Sequence, residues 1–152
     1  MSQSESDPNT SLVKLATDFR AAIERCPRTQ LPIGFGDFPA GACGDTSLLL
    51  AKYLESEGHV GFIYVLGMRD GGSHAWLRRE NLIIDITADQ FEDQDQTVIV
   101  ATNSTWHHLF RHDSENRYPE DFDKWDRATA VMLWNAYRAV VRQLLSEPKA
   151  RE

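Results

Sequence analysis

Three residues have the types and surroundings that acyl-transfer chemistry needs: Cys43, His74 and Asp85. Cys43 ends the small-residue run Phe38-Pro39-Ala40-Gly41-Ala42-Cys43 and opens the apolar run Leu48-Leu49-Leu50. That places a thiol at the first turn of a buried helix. Unpaired backbone N–H groups and the positive end of the helix dipole favour an anion there. A thiol so placed has its pKa pulled below about 8.5, and the thiolate is the nucleophile. The same N–H groups can donate to an oxyanion developing on a substrate. Gly41, Ala42 and Gly44 leave the sulfur approachable, whereas Asp45 adds opposing negative charge. A nearby imidazole must therefore support the thiolate.

His74, in Ser73-His74-Ala75-Trp76, is the candidate imidazole, and Asp85, in Leu82-Ile83-Ile84-Asp85-Ile86-Thr87, is the candidate orienting carboxylate. Alternation along a strand puts His74, Trp76 and Arg78 on one face and Ala75 and Leu77 on the other. A carboxylate among aliphatic residues is costly to bury unless it is paired. A hairpin folded at Glu80-Asn81 sets 74 and 85 about opposite each other. Aspartate then accepts from one imidazole nitrogen while the other faces Cys43. Each residue also has a plainer reading, Asp85 for example as a structural carboxylate paired with an arginine such as Arg78. The three contexts together point to a triad.

The positioning elements follow from periodicity. Leu12, Leu15, Phe19, Ala22, Ile23 and Cys26 recur at spacings of three and four, which predicts an amphipathic helix over Ser11 to Cys26, ended by Pro27. Cys26 lies on that stripe and reads as a small core residue. Residues 27–42 hold three prolines and three glycines and form a loop. Gly34-Phe35-Gly36 lacks the strand and third glycine of a dinucleotide site. After Cys43 the buried helix runs until Gly58 stops it. Strands are expected over Val60 to Met68, Ser73 to Arg79, Leu82 to Thr87 and Thr97 to Ala101, with a turn at Asp70-Gly71-Gly72. Trp106 and Phe110 mark a short packed element, and a last helix spans Asp123 to Leu145. Helices and strands are segregated, so the fold class is α+β with a small antiparallel sheet and N- and C-terminal helices. Residues 1–10 read as a disordered lead, 11–146 as one catalytic domain and 147–152 as a tail.

The chain has 152 residues, 41% of them apolar and 26% charged, which is ordinary globular composition. No apolar run approaches the ~18 residues of a membrane span. The N-terminus lacks the basic start and apolar stretch of a secretion signal, so the expected location is cytoplasmic. A net charge of −7 argues against nucleic acid as partner. With two cysteines and no export signal, a structural disulfide is not expected. His107, His108 and His112 are the only clustered histidines, and they lack a fixed metal-ligand frame. No metal or cofactor is expected. Gln90, five residues after Asp85, is a candidate for the cleft lining, with a polar loop residue as its plainer reading. Trp76 either walls the cleft or packs on the sheet.

A cysteine before a buried helix, Ser-His-Ala-Trp on a strand and Ile-Asp-Ile-Thr on the next together resemble the papain-like superfamily in its transglutaminase-like group. The resemblance covers about residues 30 to 100. It implies a papain-like fold in which Cys43 attacks an acyl carbon, His74 serves as base and then acid, and Asp85 orients His74. The implied substrate is a peptide, a protein or a small amide, cleaved or transferred to an amine. A catalytically silent module that binds a peptide or protein is the alternative. Papain proteases carry a glutamine oxyanion donor a few residues before the cysteine. Here Asp37 stands six residues before it and Gln30 is farther away.

Overall fold

The computed structural model describes residues 8–146. The expected lead and tail lie largely outside them. Three helices, α1 (Pro8–Arg25), α2 (Cys43–Ser56) and α3 (Arg127–Leu145), accompany five strands: β1 (Ile63–Arg69), β2 (Gly72–Arg79), β3 (Leu82–Asp85), β4 (Ile99–Thr102) and β5 (Arg111–Asn116). Every strand pairing is antiparallel, in the order β4-β3-β2-β1-β5. The α+β class and the antiparallel sheet are as expected. Helix α1 starts at Pro8, ahead of Ser11, and α3 starts at Arg127, capped by the Asp126 side chain on the Thr129 N–H. Among the described residues, no helix is long and apolar enough to cross a membrane.

The apolar stripe of α1 (Leu12, Ala16, Phe19, Ala22, Ile23) is fully buried. It joins Leu49, Leu50 and Leu54 of α2, Leu133 and Val140 of α3, and Leu77 and Ile84 of the sheet in the main core. Burying one such aliphatic side chain is worth about 1.5–3 kcal/mol, so this face of the sheet is fixed by area alone. Cys26 lies in the same core, as its place on the stripe predicts. Gly58 ends α2 region with φ +91, a conformation that favours glycine.

The other face of the sheet is also covered. Val65, Trp76, Ile83 and Phe110 form a second cluster, with Phe91 and Trp106 packed against it from the segments flanking β4. Strand β2 is therefore buried on both faces, with Ala75 and Leu77 toward the helices and His74 and Trp76 toward the aromatic cluster. Trp76 packs on the sheet, its ring 5.5 Å from that of Phe110. Gly67 on β1 makes this approach possible, because a Cβ there would meet Phe110 at 2.8 Å and Trp76 at 2.9 Å.

Strand β5 was not expected. Its sequence, Arg-His-Asp-Ser-Glu-Asn, carries no apolar alternation because five of its six residues are exposed at the sheet edge. Charged side chains suit such an edge, since they discourage pairing with another chain.

Candidate active site

Cys43 is the first residue of α2, and its thiol is partly exposed. The N-cap is Ala42, which offers no side-chain hydrogen bond. The first backbone bond of the helix is Thr46 N–H to Ala42 O, at 2.8 Å. The N–H groups of Cys43, Gly44 and Asp45 thus precede the intrahelical ladder, and no cap competes for them. Burial would raise the Cys43 thiol, but the His74 ring outweighs it, helped by the Ala75 backbone and the Gln90 side chain, so the net shift is downward. Burial raises the Asp45 carboxyl above its ordinary value. Tyr64, facing the same helix start, is pushed up to about 12 by burial and by the charges of Cys43 and Asp45.

His74 is fully buried, and its Nε2 lies 2.7 Å from Asp85 Oδ2. The hairpin turns at Glu80-Asn81 as expected, with Arg79 opposite Leu82, but 74 and 85 are not directly opposite. Leu77 pairs with Ile84, so His74 faces the position of Thr87 and Asp85 lies diagonally. Because side chains alternate with a period of two, a two-residue offset keeps both on one face, and the imidazole spans the diagonal. Burial disfavours the imidazolium, but the Asp85 carboxylate and then Cys43 override it, and His74 is pushed up to about 9. Asp85 is held well below the usual carboxylate range. Burial works against this, and His74 and His107 outweigh it.

Asp85 accepts three well-placed hydrogen bonds. Oδ1 takes the Thr87 backbone N–H at 2.9 Å. Oδ2 takes His74 Nε2 at 2.7 Å and His107 Nε2 at 2.6 Å. Arg78 is not its partner, since that guanidinium goes to Glu115 at 2.6 Å and to the Glu80 carbonyl. The structural alternative for Asp85, a pair with Arg78, is thereby replaced by an imidazole on each side.

Gln90 belongs to the site. Its amide nitrogen lies 3.1 Å from His74 Nδ1, and its side chain also lowers the Cys43 pKa. It reaches the thiol from the turn after β3 rather than from the loop before the cysteine. That turn is anchored by Arg20, a 7% exposed guanidinium on α1. Arg20 donates to the Ile86 carbonyl at 2.8 Å, to Asp89 at 2.7 and 3.0 Å and to the Thr97 carbonyl at 3.3 Å. Arg20 carried no signal in the sequence except its place between two stripe residues.

His107, His108 and His112 all border one cavity of about 400 Å³, but among the described residues they form no ligand cluster of their own. His107 is buried against Asp85, whereas His108 and His112 are exposed and His112 lies on Glu115. The signal that marks His107 is local: Ser104 stands three residues earlier, its Oγ 2.6 Å from His107 Nδ1. His74, Asp85 and His107 are ligand-type groups within 4.8 Å of one another. Their donor atoms nevertheless approach to 2.6–2.7 Å, the spacing of a shared proton. Two ligands on a tetrahedral ion with bonds of 2.0–2.1 Å would stand about 3.3 Å apart.

A cavity of about 230 Å³ adjoins the start of α2, between Gly44, Asp45 and Tyr64 on one side and Glu115, Asn116 and Trp125 on the other. Comparison with protein-family models, with curated proteins and with solved structures finds no match to this chain.

Proposed function

We propose that the chain is a cysteine-dependent hydrolase or acyltransferase of papain-like, transglutaminase-like kind, acting on an amide, peptide or isopeptide bond. The observation that carries this reading is a lowered thiol at an uncapped helix start, beside an imidazole whose far nitrogen is 2.7 Å from a buried carboxylate. A structural cysteine needs none of these features.

In this mechanism the Cys43 sulfur attacks the acyl carbon, with its proton already passed to His74 Nδ1. The tetrahedral oxyanion accepts from the N–H groups at the start of α2 and from the Gln90 amide, which would serve in the role of the upstream glutamine of papain proteases. His74 then returns the proton from Nδ1 to the leaving amine, and the C–N bond breaks to leave a thioester on Cys43. Water or an amine attacks the thioester, giving its proton to Nδ1, and the thiolate departs. Throughout, Asp85 holds the Nε2–H and fixes the ring so that Nδ1 faces the sulfur.

The test is covalent trapping. Brief exposure to an activated acyl ester, followed by mass spectrometry, should place the acyl group on Cys43, with Cys26 unmodified. Cys26 is 3% exposed and its thiol is raised by burial. Acylation that favours Cys26, or equal labelling of both, overturns the assignment.

A further inference from the structure

We propose that His107, backed by Ser104, is a positioning residue for the triad: it holds Asp85 as an anion and divides that carboxylate's attraction between two imidazoles. The proposal rests on the triad reading and deepens it.

The hydrogen-bond pattern assigns the proton positions. Ser104 Oγ accepts the His107 backbone N–H at 3.3 Å and lies 2.6 Å from His107 Nδ1. With the carboxylate of Asp85 at its other nitrogen, the neutral ring must carry its hydrogen on Nε2, since a lone pair there would face a negative oxygen. The Ser104 hydroxyl then donates to Nδ1. The result is an ordered run, Ser104 O–H to His107, His107 Nε2–H to Asp85, and His74 Nε2–H to the same Asp85 oxygen. Trp76 at 4.7 Å and Trp106 at 4.9 Å clamp the His107 ring edge to face.

This sharing has a consequence for His74. A dry carboxylate 2.7 Å away would hold the imidazolium tightly. A base that must also release its proton works best with a pKa near the operating pH. The second N–H on Oδ2 draws off part of the charge and keeps His74 able to give the proton up. The groups that face His74 are Asp85 from β3, Cys43 from α2, Gln90 from the turn after β3 and His107 from the turn after β4. Asp45 and Tyr64 face Cys43. Arg69, paired with Asp93, stands over the Phe91, Trp106 and Phe110 rings that enclose the imidazole.

The pH dependence of Cys43 alkylation by iodoacetamide reads this directly. A lower step follows thiol ionisation, and an upper step follows loss of the His74 proton. In His107→Phe the upper step should move to higher pH by about half a unit or more, because Asp85 then acts on His74 alone. The added ring volume has room, since His107 borders a cavity of about 400 Å³. His107→Gln, which restores an N–H near the Nε2 position, should return the step to its original place. A merely structural role lowers the melting temperature of both variants and leaves the step unmoved, which overturns the proposal. So does a His107→Gln step that stays with His107→Phe. If His107→Phe does not fold, Ser104→Ala keeps the ring and removes only the hydroxyl; the step should again rise, and an unmoved step refutes the proposal. His74→Ala separates the two levels. If it leaves the profile unchanged, the triad reading itself fails. If it abolishes the upper step while the His107 and Ser104 variants leave that step in place, only the present proposal fails.

Discussion

Replacing Asp85 by asparagine tests whether this carboxylate serves the thiol or only the fold. The side chain keeps its size, but it meets three donors: the Thr87 N–H on one oxygen and two imidazole Nε2 atoms on the other. An amide NH₂ cannot accept, so in either orientation at least one donor faces another donor. Leaving such a buried group unsatisfied costs about 1–3 kcal/mol. For a domain of this size each kcal/mol lowers Tm by roughly 2–4 °C, which gives a fall on the order of 5 °C. The effect on reactivity is larger. Burial opposes the His74 imidazolium, and Asp85 is the first of the groups that raise it from 6.5 to about 9. If the carboxylate supplies half or more of that rise, its loss removes roughly 2 kcal/mol of support, a pKa unit being worth about 1.4 kcal/mol. That corresponds to about a 30-fold slower acyl transfer, below the ~10⁴ seen where the nucleophile is a serine. Acylation rate and thermal melting should be measured on one preparation of the variant. A collapse in melting temperature with Cys43 reactivity unchanged would remove Asp85 from the site.

Three further outcomes follow from the same contacts. Arg20→Ala deletes the guanidinium that ties α1 to the turn carrying Gln90; breaking so buried a pair should cost roughly 3 kcal/mol, read by thermal melting, with Cys43 acylation slowed in the folded fraction. Stability should fall in acid, because the folded pKa of Asp85 lies below its ordinary value: its contribution is present above about pH 4 and lost as pH falls below that. The His74 contribution has the opposite sign, present below about pH 6.5 and fading as pH rises toward about 9, so denaturant melts across pH should show a maximum between these limits, and a flat profile contradicts the assignment. Elemental analysis of the purified protein should find zinc far below one atom per chain, and a stoichiometric content would turn His74, Asp85 and His107 into a ligand set.

Helices and the three inner strands were legible because burial wrote a period into them. The stripe of α1, the Leu48–Leu50 run of α2 and the Ile-Tyr-Val start of β1 each carry the apolar content that their packing demands. Strand β5 was not legible, because an exposed edge strand places little demand on side-chain type and it joins β1 through a backbone ladder. Arg20 was hidden for the opposite reason. It sits beside the α1 stripe, where a charged residue ordinarily marks the solvent boundary, and only the fold of residues 86–97 over it makes it an anchor.

Within the site, the residues readable in advance were those whose chemistry depends on local context. Cys43 is marked by the helix it starts and Asp85 by the aliphatic run it interrupts. His74 is marked by a strand that alternates around it. The turn at Glu80-Asn81 sets His74 and Asp85 on one face, diagonal rather than directly opposite, and they share that face because the side-chain period is two. His107 depends on something else. Its partner Asp85 is 22 residues away and on another element, and the ring reaches it only because β4 pairs antiparallel with β3 and the turn after β4 folds over the sheet face that carries Asp85. A buried carboxylate can satisfy more than one donor, and one imidazole leaves it unsaturated. The aliphatic run around Asp85 demands only that the carboxylate be paired, a demand His74 already meets. The carboxylate has about four acceptor sites, and beyond the Thr87 N–H and His74 it takes a further donor from the buried one of the three late histidines, His107.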